Sequence, residues 1–198
     1  RFLDTDIKEI RIFSRDEKKQ HDMRVELKNE KLKFVIGDVR DLNLLNYEIS
    51  KFKTEFVFHL AAQPLVRLSY EIPSETFEVN AIGTANVLDA VRQLNHTCSV
   101  VLITTDKVYH NNEWEHPYKE TDRLGGYDPY SASKACCELV IDSYKKSFFN
   151  LDNKLIRLLI CASLKGSNPL LSNSIPIELE LMSVIFPHLL LPACHARK

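Results

Sequence analysis

Val100-Val101-Leu102-Ile103 runs without a break into Thr104-Thr105-Asp106-Lys107. Four consecutive apolar residues, three of them β-branched, read as a strand buried on both faces, the situation of a parallel sheet covered by helices. Polar residues directly behind such a strand lie at the carboxyl edge of the sheet, where this architecture binds its ligands. Upstream, Phe56-Val57-Phe58-His59-Leu60 repeats the strand pattern, as do Leu32 to Ile36, ended by Gly37-Asp38, and the shorter Ile10-Arg11-Ile12-Phe13. Downstream, Leu155 to Ile160 supplies a fifth run. Helical segments are expected between them: polar Ser14 to Asn29, Glu75 to Leu94, and Tyr130 to Phe149 with Pro129 at its start. Phe77, Val79, Ile82, Val87, Leu88 and Val91 recur at helical spacing in the second of these. Strands alternating with helices predict an α/β fold with a doubly wound parallel sheet.

The chain has 198 residues, enough for one sizeable core, with 44% hydrophobic and 27% charged residues. A net charge of -1 offers no polybasic surface for nucleic acid or anionic lipid. The most apolar late stretch, Leu181 to Cys194, is interrupted by Pro187, His188 and Pro192 and is too short to span a membrane. The five cysteines include the adjacent Cys136 and Cys137 but no CxxC spacing, which predicts reduced thiols and a cytoplasmic protein. The seven histidines have no metal-ligand spacing, and His59, ending a buried strand, reads as a packed, hydrogen-bonded side chain. No internal repeat or low-complexity linker is present.

A doubly wound dinucleotide fold of the Rossmann type opens with a strand and a glycine-rich turn that lets the backbone approach a pyrophosphate at a helix N-terminus. The glycines are Gly37, Gly83, Gly125, Gly126 and Gly166, and none forms such a turn. The fold is therefore expected to be incomplete, without its first strand and that turn. Because the first strand lies centrally, Ile10–Phe13 and Val100–Ile103 are each expected to be short of a partner, and the chain to be marginally stable and nearly inactive.

Tyr130-Ser131-Ala132-Ser133-Lys134 is a YxxxK pattern. On a helix, positions i and i+4 share a face, so a phenol and an ammonium approach one ligand together. The ammonium favours the phenolate and is expected to lower the Tyr130 pKa, which would make the phenol a usable base. An exposed helical pair is the bland alternative. Thr105, Asp106 and Lys107 bring a hydroxyl, an acid and an amine to the mouth of the sheet; a solvated turn is the alternative there.

The block Thr104 to Tyr109, followed by Gly125-Gly126-Tyr127-Asp128-Pro129-Tyr130-Ser131-Ala132-Ser133-Lys134, resembles the catalytic region of the nucleotide-sugar 4,6-dehydratases. These are extended short-chain dehydrogenases/reductases, and the likeness is greatest to the CDP-glucose 4,6-dehydratases. His59-Leu60-Ala61-Ala62-Gln63-Pro64-Leu65-Val66-Arg67 resembles the family segment beside the nicotinamide ribose, and Asn80-Ala81-Ile82-Gly83-Thr84 its structural Asn and N-x-x-G-T helix. Lys107 resembles the CDP-glucose enzymes, where dTDP-glucose and GDP-mannose dehydratases usually have Glu. The likeness runs from about Gly37 to Phe149. Ile7 to Asp22 is more similar to UDP-N-acetylglucosamine 4,6-dehydratases, and Leu158 to Lys198 shows no family pattern. Residues 1–160 are thus expected to form a partial NAD(P)-binding domain, and 161–198 an unassigned tail in place of a substrate domain.

The resemblance implies internal redox dehydration of CDP-glucose. By family position Tyr130 takes the 4-hydroxyl proton, Thr105 bonds the 4-oxygen, Lys107 is the base at C5, Asp106 protonates the departing 6-hydroxyl, and Lys134 holds the nicotinamide ribose. It further implies cofactor contacts at Leu60, Ala61, Ala62 and Gln63, and at Asp38 and Val39 around adenine; a turn-capping Asp38 is the alternative. The implied cofactor is NAD. Ser14 and Arg15 point instead to NADP, because an Arg at that strand end can meet a 2′-phosphate. Trp114, His116 and Tyr118 would either stack on a ligand or form a loop's own small core. A homodimer through the two long helices is expected from the superfamily. The rival readings are a UDP-sugar epimerase or dehydratase of the same superfamily, and an inactive fragment.

Overall fold

A computed structural model describes residues 2–114, 116–119, 121–149 and 156–161. A short 3-10 turn, Phe2–Asp4, precedes strand β1, Ile10–Ser14. Helix α1, Glu17–Leu27, leads to β2, Leu32–Ile36, and α2, Leu42–Lys51, leads to β3, Phe56–His59. A long crossover follows, made of α3 (Val66–Glu71), α4 (Pro73–Phe77), a π turn (Glu78–Ile82) and α5 (Gly83–Arg92). It delivers the chain to β4, Cys98–Ile103. A 3-10 turn, Asp106–Val108, and a loop then precede α6, Pro129–Ser147, and β5, Ile156–Cys161. Among the described residues the strands form two parallel sheets, β1–β2 and β3–β4–β5.

Local chemistry sets the helix starts. Asp16, Asp41 and Asp128 each accept a hydrogen bond from the backbone N–H three residues on, those of Lys19, Leu44 and Ser131. Such caps satisfy donors that a first turn leaves open. Helix α5 lies against α2 on one side and α6 on the other. Their apolar faces meet β4 and β5 in one core containing Leu45, Ile49, Val87, Leu88, Val91, Val100, Leu102, Ile141 and Ile156. Gly83 lets α5 sit close to the loop behind β2, since a Cβ there would meet Val39 Cγ2 at 2.6 Å.

The α/β class and the parallel strands are as expected, and several boundaries are corrected. Helix α1 starts at Glu17 rather than Ser14, because Asp16 caps it and Ser14 still pairs with Ile36. The expected single helix over 75–94 starts at Pro73 and carries the π turn at its middle. Helix α2 was not anticipated, although Asp41 with Leu42, Leu45 and Ile49 has the spacing of a capped amphipathic helix. The expectation that Val100–Ile103 lacks a partner is also corrected. β4 is paired on both sides, to β3 and β5, whereas β3, like β1 as expected, has one partner among the described residues. The reason is the crossover over 66–92, which returns β4 directly beside β3. The tail over 162–198, including Leu181 to Cys194, lies outside the described residues. Among the described residues no helix is long and apolar enough to cross a membrane.

Candidate active site

β4 ends at Ile103, and the next residues emerge towards solvent: Thr104 is buried, Thr105 half-buried, Asp106 and Lys107 exposed. The Thr105 hydroxyl accepts from the Lys107 backbone N–H (3.4 Å) and donates to Asp106 Oδ1 (3.1 Å), which shapes the 3-10 turn. Helix α6 supplies the opposing wall. Its N-terminus is fixed by Asp128, whose carboxylate accepts from the Ser131 N–H (2.9 Å) and Oγ (2.6 Å). The Tyr130 backbone N–H donates to Ser69 Oγ of α3 at 3.1 Å. Gly126 lies tight on this corner, where a Cβ would fall 2.3 Å from Ser131 Cβ.

Tyr130 and Thr105 face one another where helix α6 packs on the 3-10 turn. Burial raises the phenol pKa above its ordinary value; the nearby Thr105 hydroxyl opposes this, and Asp106, Asp128 and Cys137 reinforce it. The expected depression by Lys134 is therefore corrected. The Lys134 side chain is buried and its Nζ donates to Ile103 O at 3.1 Å, and burial lowers its own pKa. Four of the five expected catalytic residues thus act on one another: Thr105, Asp106 and Tyr130 directly, and Lys134 through the strand end that carries them. Lys107 lies in the same turn, its charge felt at Asp128.

The second group of expected residues lies at the carboxyl ends of β1, β2 and β3. Ser14 Oγ accepts from the Asp16 N–H at 3.1 Å. Asp38 is the centre of an ion-pair network: its Oδ2 lies 2.7 Å from Arg40 Nη2 and 3.3 Å from Arg15 Nη1. Arg15 also meets Glu75 (3.2 Å), and Arg40 meets Glu78 (3.3 Å). The Arg40 hydrogen bond, with lesser help from Arg15, holds the Asp38 carboxyl at about 2. Val39 is buried against Gly83. Leu60 and Ala61 are exposed, Ala62 is half-buried and Gln63 is buried. The Gln63 amide is fully engaged, donating to Leu65 O (3.1 Å) and Thr76 Oγ1 (3.0 Å) and accepting from the Leu65 N–H (2.6 Å). It shapes the loop and leaves residues 60–62 as the accessible part.

A buried polar relay joins the two groups. Asn80, in the π turn, accepts from the Gln63 N–H (2.8 Å) and donates to Gln63 O (3.2 Å) and Ser133 Oγ (2.8 Å). His59 Nε2 lies 3.0 Å from Thr84 Oγ1, which donates to Asn80 O (2.7 Å), so His59 is the packed residue expected. Thr84 belongs to the N-x-x-G-T block already singled out; Ser133 lies inside the YxxxK block and was legible there, whereas nothing local marks Ser69. In the loop after β4, Tyr118 stacks on Tyr109 at 5.2 Å and Trp114 tilts against Tyr118 at 5.6 Å, the loop-core alternative.

The donor set fits the two ends of a nicotinamide dinucleotide. A hydroxyl and an ammonium one helical turn apart suit ribose hydroxyls, and an ionised carboxylate after β2 suits an exocyclic amine. Arg15 is already shared between two carboxylates, which disfavours a 2′-phosphate.

Residues 2–159 match the family described as GDP-mannose 4,6 dehydratase. Among curated relatives, the chain is 51% identical to the CDP-glucose 4,6-dehydratase of Salmonella typhimurium, over 63% of this chain and 35% of that protein. It is 49% identical to a UDP-glucose 4-epimerase of Rickettsia rickettsii, over 52% of this chain and 29% of that protein. The matched segments thus span about a third of these relatives' length. Among solved structures, the dTDP-glucose 4,6-dehydratase of Streptomyces venezuelae, a structure with NAD bound, superposes at a TM-score of 0.68 with 24% identity, covering 93% of this chain and 55% of that one. That likeness establishes the Rossmann-like fold.

Proposed function

Because the chain belongs to the GDP-mannose 4,6 dehydratase family, we propose that it serves a nucleotide-sugar 4,6-dehydratase that converts CDP-glucose to CDP-4-dehydro-6-deoxyglucose with NAD as bound cofactor. The observation that carries this reading is the approach of helix α6, with Tyr130, to the turn that holds Thr105, Asp106 and Lys107. Residues 1–160 form the cofactor-binding part. Asp38 and Val39 would hold the adenine, the chain over 60–62 the nicotinamide side, and Tyr130 with Lys134 the ribose next to it. Bound NAD supplies the reversible acceptor that takes hydrogen from C4 as hydride and returns it at C6.

Tyr130 accepts the 4-hydroxyl proton, and Thr105 donates a hydrogen bond to the 4-oxygen as it becomes a ketone. The ketone acidifies C5. Lys107, exposed on the 3-10 turn, removes that proton in its neutral form, and Asp106 in its protonated form gives one to the departing 6-hydroxyl. Water leaves, and a solvent proton re-enters at C5 as C6 is reduced. The acid and amine therefore serve the elimination, while the hydroxyl pair serves the C4 oxidation.

NAD rather than NADP is supported by the pairing of Arg15 with Asp38 and Glu75. A cytoplasmic location is supported by free Cys98, Cys136 and Cys137. Exposed Ile82 and Leu139 support a homodimer through the long helices. A 4-epimerase is the second reading, favoured by the Rickettsia relative; Asp106 and Lys107 speak against it, because epimerisation at C4 eliminates nothing. Chromatography of products formed by a full-length protein carrying this block tests both. A dehydrated product from CDP-glucose supports the first reading, and turnover of UDP-glucose alone to its 4-epimer overturns it.

A further inference from the structure

We propose that Glu138 is a positioning residue that, with Lys134, clamps the end of β4 onto α6 and so sets Thr105 against Tyr130; this rests on the dehydratase reading for its kinetic readout only. Tyr130, Lys134 and Glu138 stand at i, i+4 and i+8 of α6, so they line one face of the helix. That face meets two consecutive residues of the strand end. Lys134 Nζ donates to Ile103 O at 3.1 Å, and Thr104 Oγ1 donates to Glu138 Oε1 at 2.5 Å. The next residue is Thr105, which opens the turn that packs against the Tyr130 end of α6.

Two bonds to adjacent residues fix both position and twist of the segment, which one bond would leave free to pivot. Thr104 is buried, so its hydroxyl has no solvent alternative to Glu138. Glu138 is itself half-buried and reaches Lys134 electrostatically, giving the buried ammonium a counter-charge on its own helix. The other ionisable group acting on Lys134 is Cys137, which is occupied with Asn80 O and Ser133 O. None of the expected substrate chemistry falls to Glu138, so its effect should appear in the placement of Thr105 to Lys107.

Two measurements on Glu138→Ala, Glu138→Gln and Thr104→Val test this. The first is hydrogen exchange of the backbone amides over 104–108 in this chain. Exchange there should rise about tenfold in Glu138→Ala and Thr104→Val and stay near the parent value in Glu138→Gln, which keeps an acceptor for Thr104. The second is turnover of CDP-glucose by the full-length protein carrying the same changes. A misplacement near 1 Å lowers turnover by about a hundredfold, so kcat should fall roughly 10–100-fold in the Ala and Val variants with KM within about threefold. Glu138→Gln should restore kcat to within about fivefold, and the Glu138→Ala/Thr104→Val double variant should be no worse than either single one. Unchanged exchange over 104–108 in Glu138→Ala, or additive losses in the double variant, would overturn the clamp. If Glu138→Ala does not fold, Thr104→Val and Glu138→Gln decide alone. Failure of the dehydratase reading shows separately, as absent turnover in the parent with the exchange pattern intact.

Discussion

Tyr130 has its phenol half-buried, close to Thr105 and held above its ordinary pKa chiefly by burial. A base so placed needs the substrate hydroxyl and the cofactor charge beside it to ionise, so its action is confined to the assembled complex. Tyr130→Phe in a full-length protein carrying this block should cut turnover by about two to four orders of magnitude, the usual loss on removing a general base. NAD affinity, read by fluorescence titration, should change little because Lys134 remains; a near-normal rate would exclude Tyr130 as the base. His59 gives the second residue-scale expectation. Burial, then the Lys134 charge, lowers its pKa from 6.5 to about 4. The unfolded chain therefore takes up the proton first as pH falls. The contribution of neutral His59 is whole above pH 6.5, declines from there towards pH 4, and changes no further below it. Thermal melts across that window should fall with pH, by an amount bounded at roughly 3 kcal/mol, and His59→Asn should flatten the slope. A melt that does not move with pH in the parent chain would show that His59 is not buried neutral.

The π turn over Glu78–Ile82 is the element on which the site is hung. One extra residue in the turn brings Asn80 to face Gln63 and Ser133 together, tying the loop behind β3 to the YxxxK helix. The following Gly83 then sets the approach of α5 to Val39. Ala is normally preferred to Gly in a helix by up to about 1 kcal/mol, but here the added Cβ meets a buried side chain, and overpacking costs about 1–3 kcal/mol. Gly83→Ala should therefore lower stability by roughly 1–2 kcal/mol net in denaturant unfolding; a stabilised variant would mean that Val39 yields freely. The strands and the long helices were legible in the sequence because uninterrupted apolar runs and helical spacing are local signals. The π turn was not, since a periodic pattern such as Val79, Val87 and Val91 absorbs one extra residue without losing its buried apolar face. The pairing of Val100–Ile103 was misjudged because neighbour order depends on where a crossover lands, which no stretch of either strand encodes.

At the scale of the molecule, the two parallel sheets bring separate signals to the carboxyl ends of their strands. Arg15 and Asp38 arrive from β1 and β2, residues 60–62 from β3, and Thr105 to Lys107 from β4. The motif residues at these strand ends were legible because their chemistry is written in short blocks. Their support was not: Ser69 meets Tyr130 from 61 positions away, and Asn80 meets Ser133 from 53. Glu138 lay within reach of a reading that continued the Tyr130–Lys134 spacing by one more turn. The whole arrangement makes a commitment about where one hydrogen goes, since oxidation at C4 and reduction at C6 share a single bound acceptor. CDP-glucose deuterated at C4, turned over in ordinary water by a full-length protein carrying this block, follows that hydrogen directly when the product is read by nuclear magnetic resonance and mass. The predicted product has lost one water, carries the deuterium on C6 and has a solvent proton at C5. Deuterium kept at C4 in an undehydrated epimer, or lost to solvent, would contradict the account.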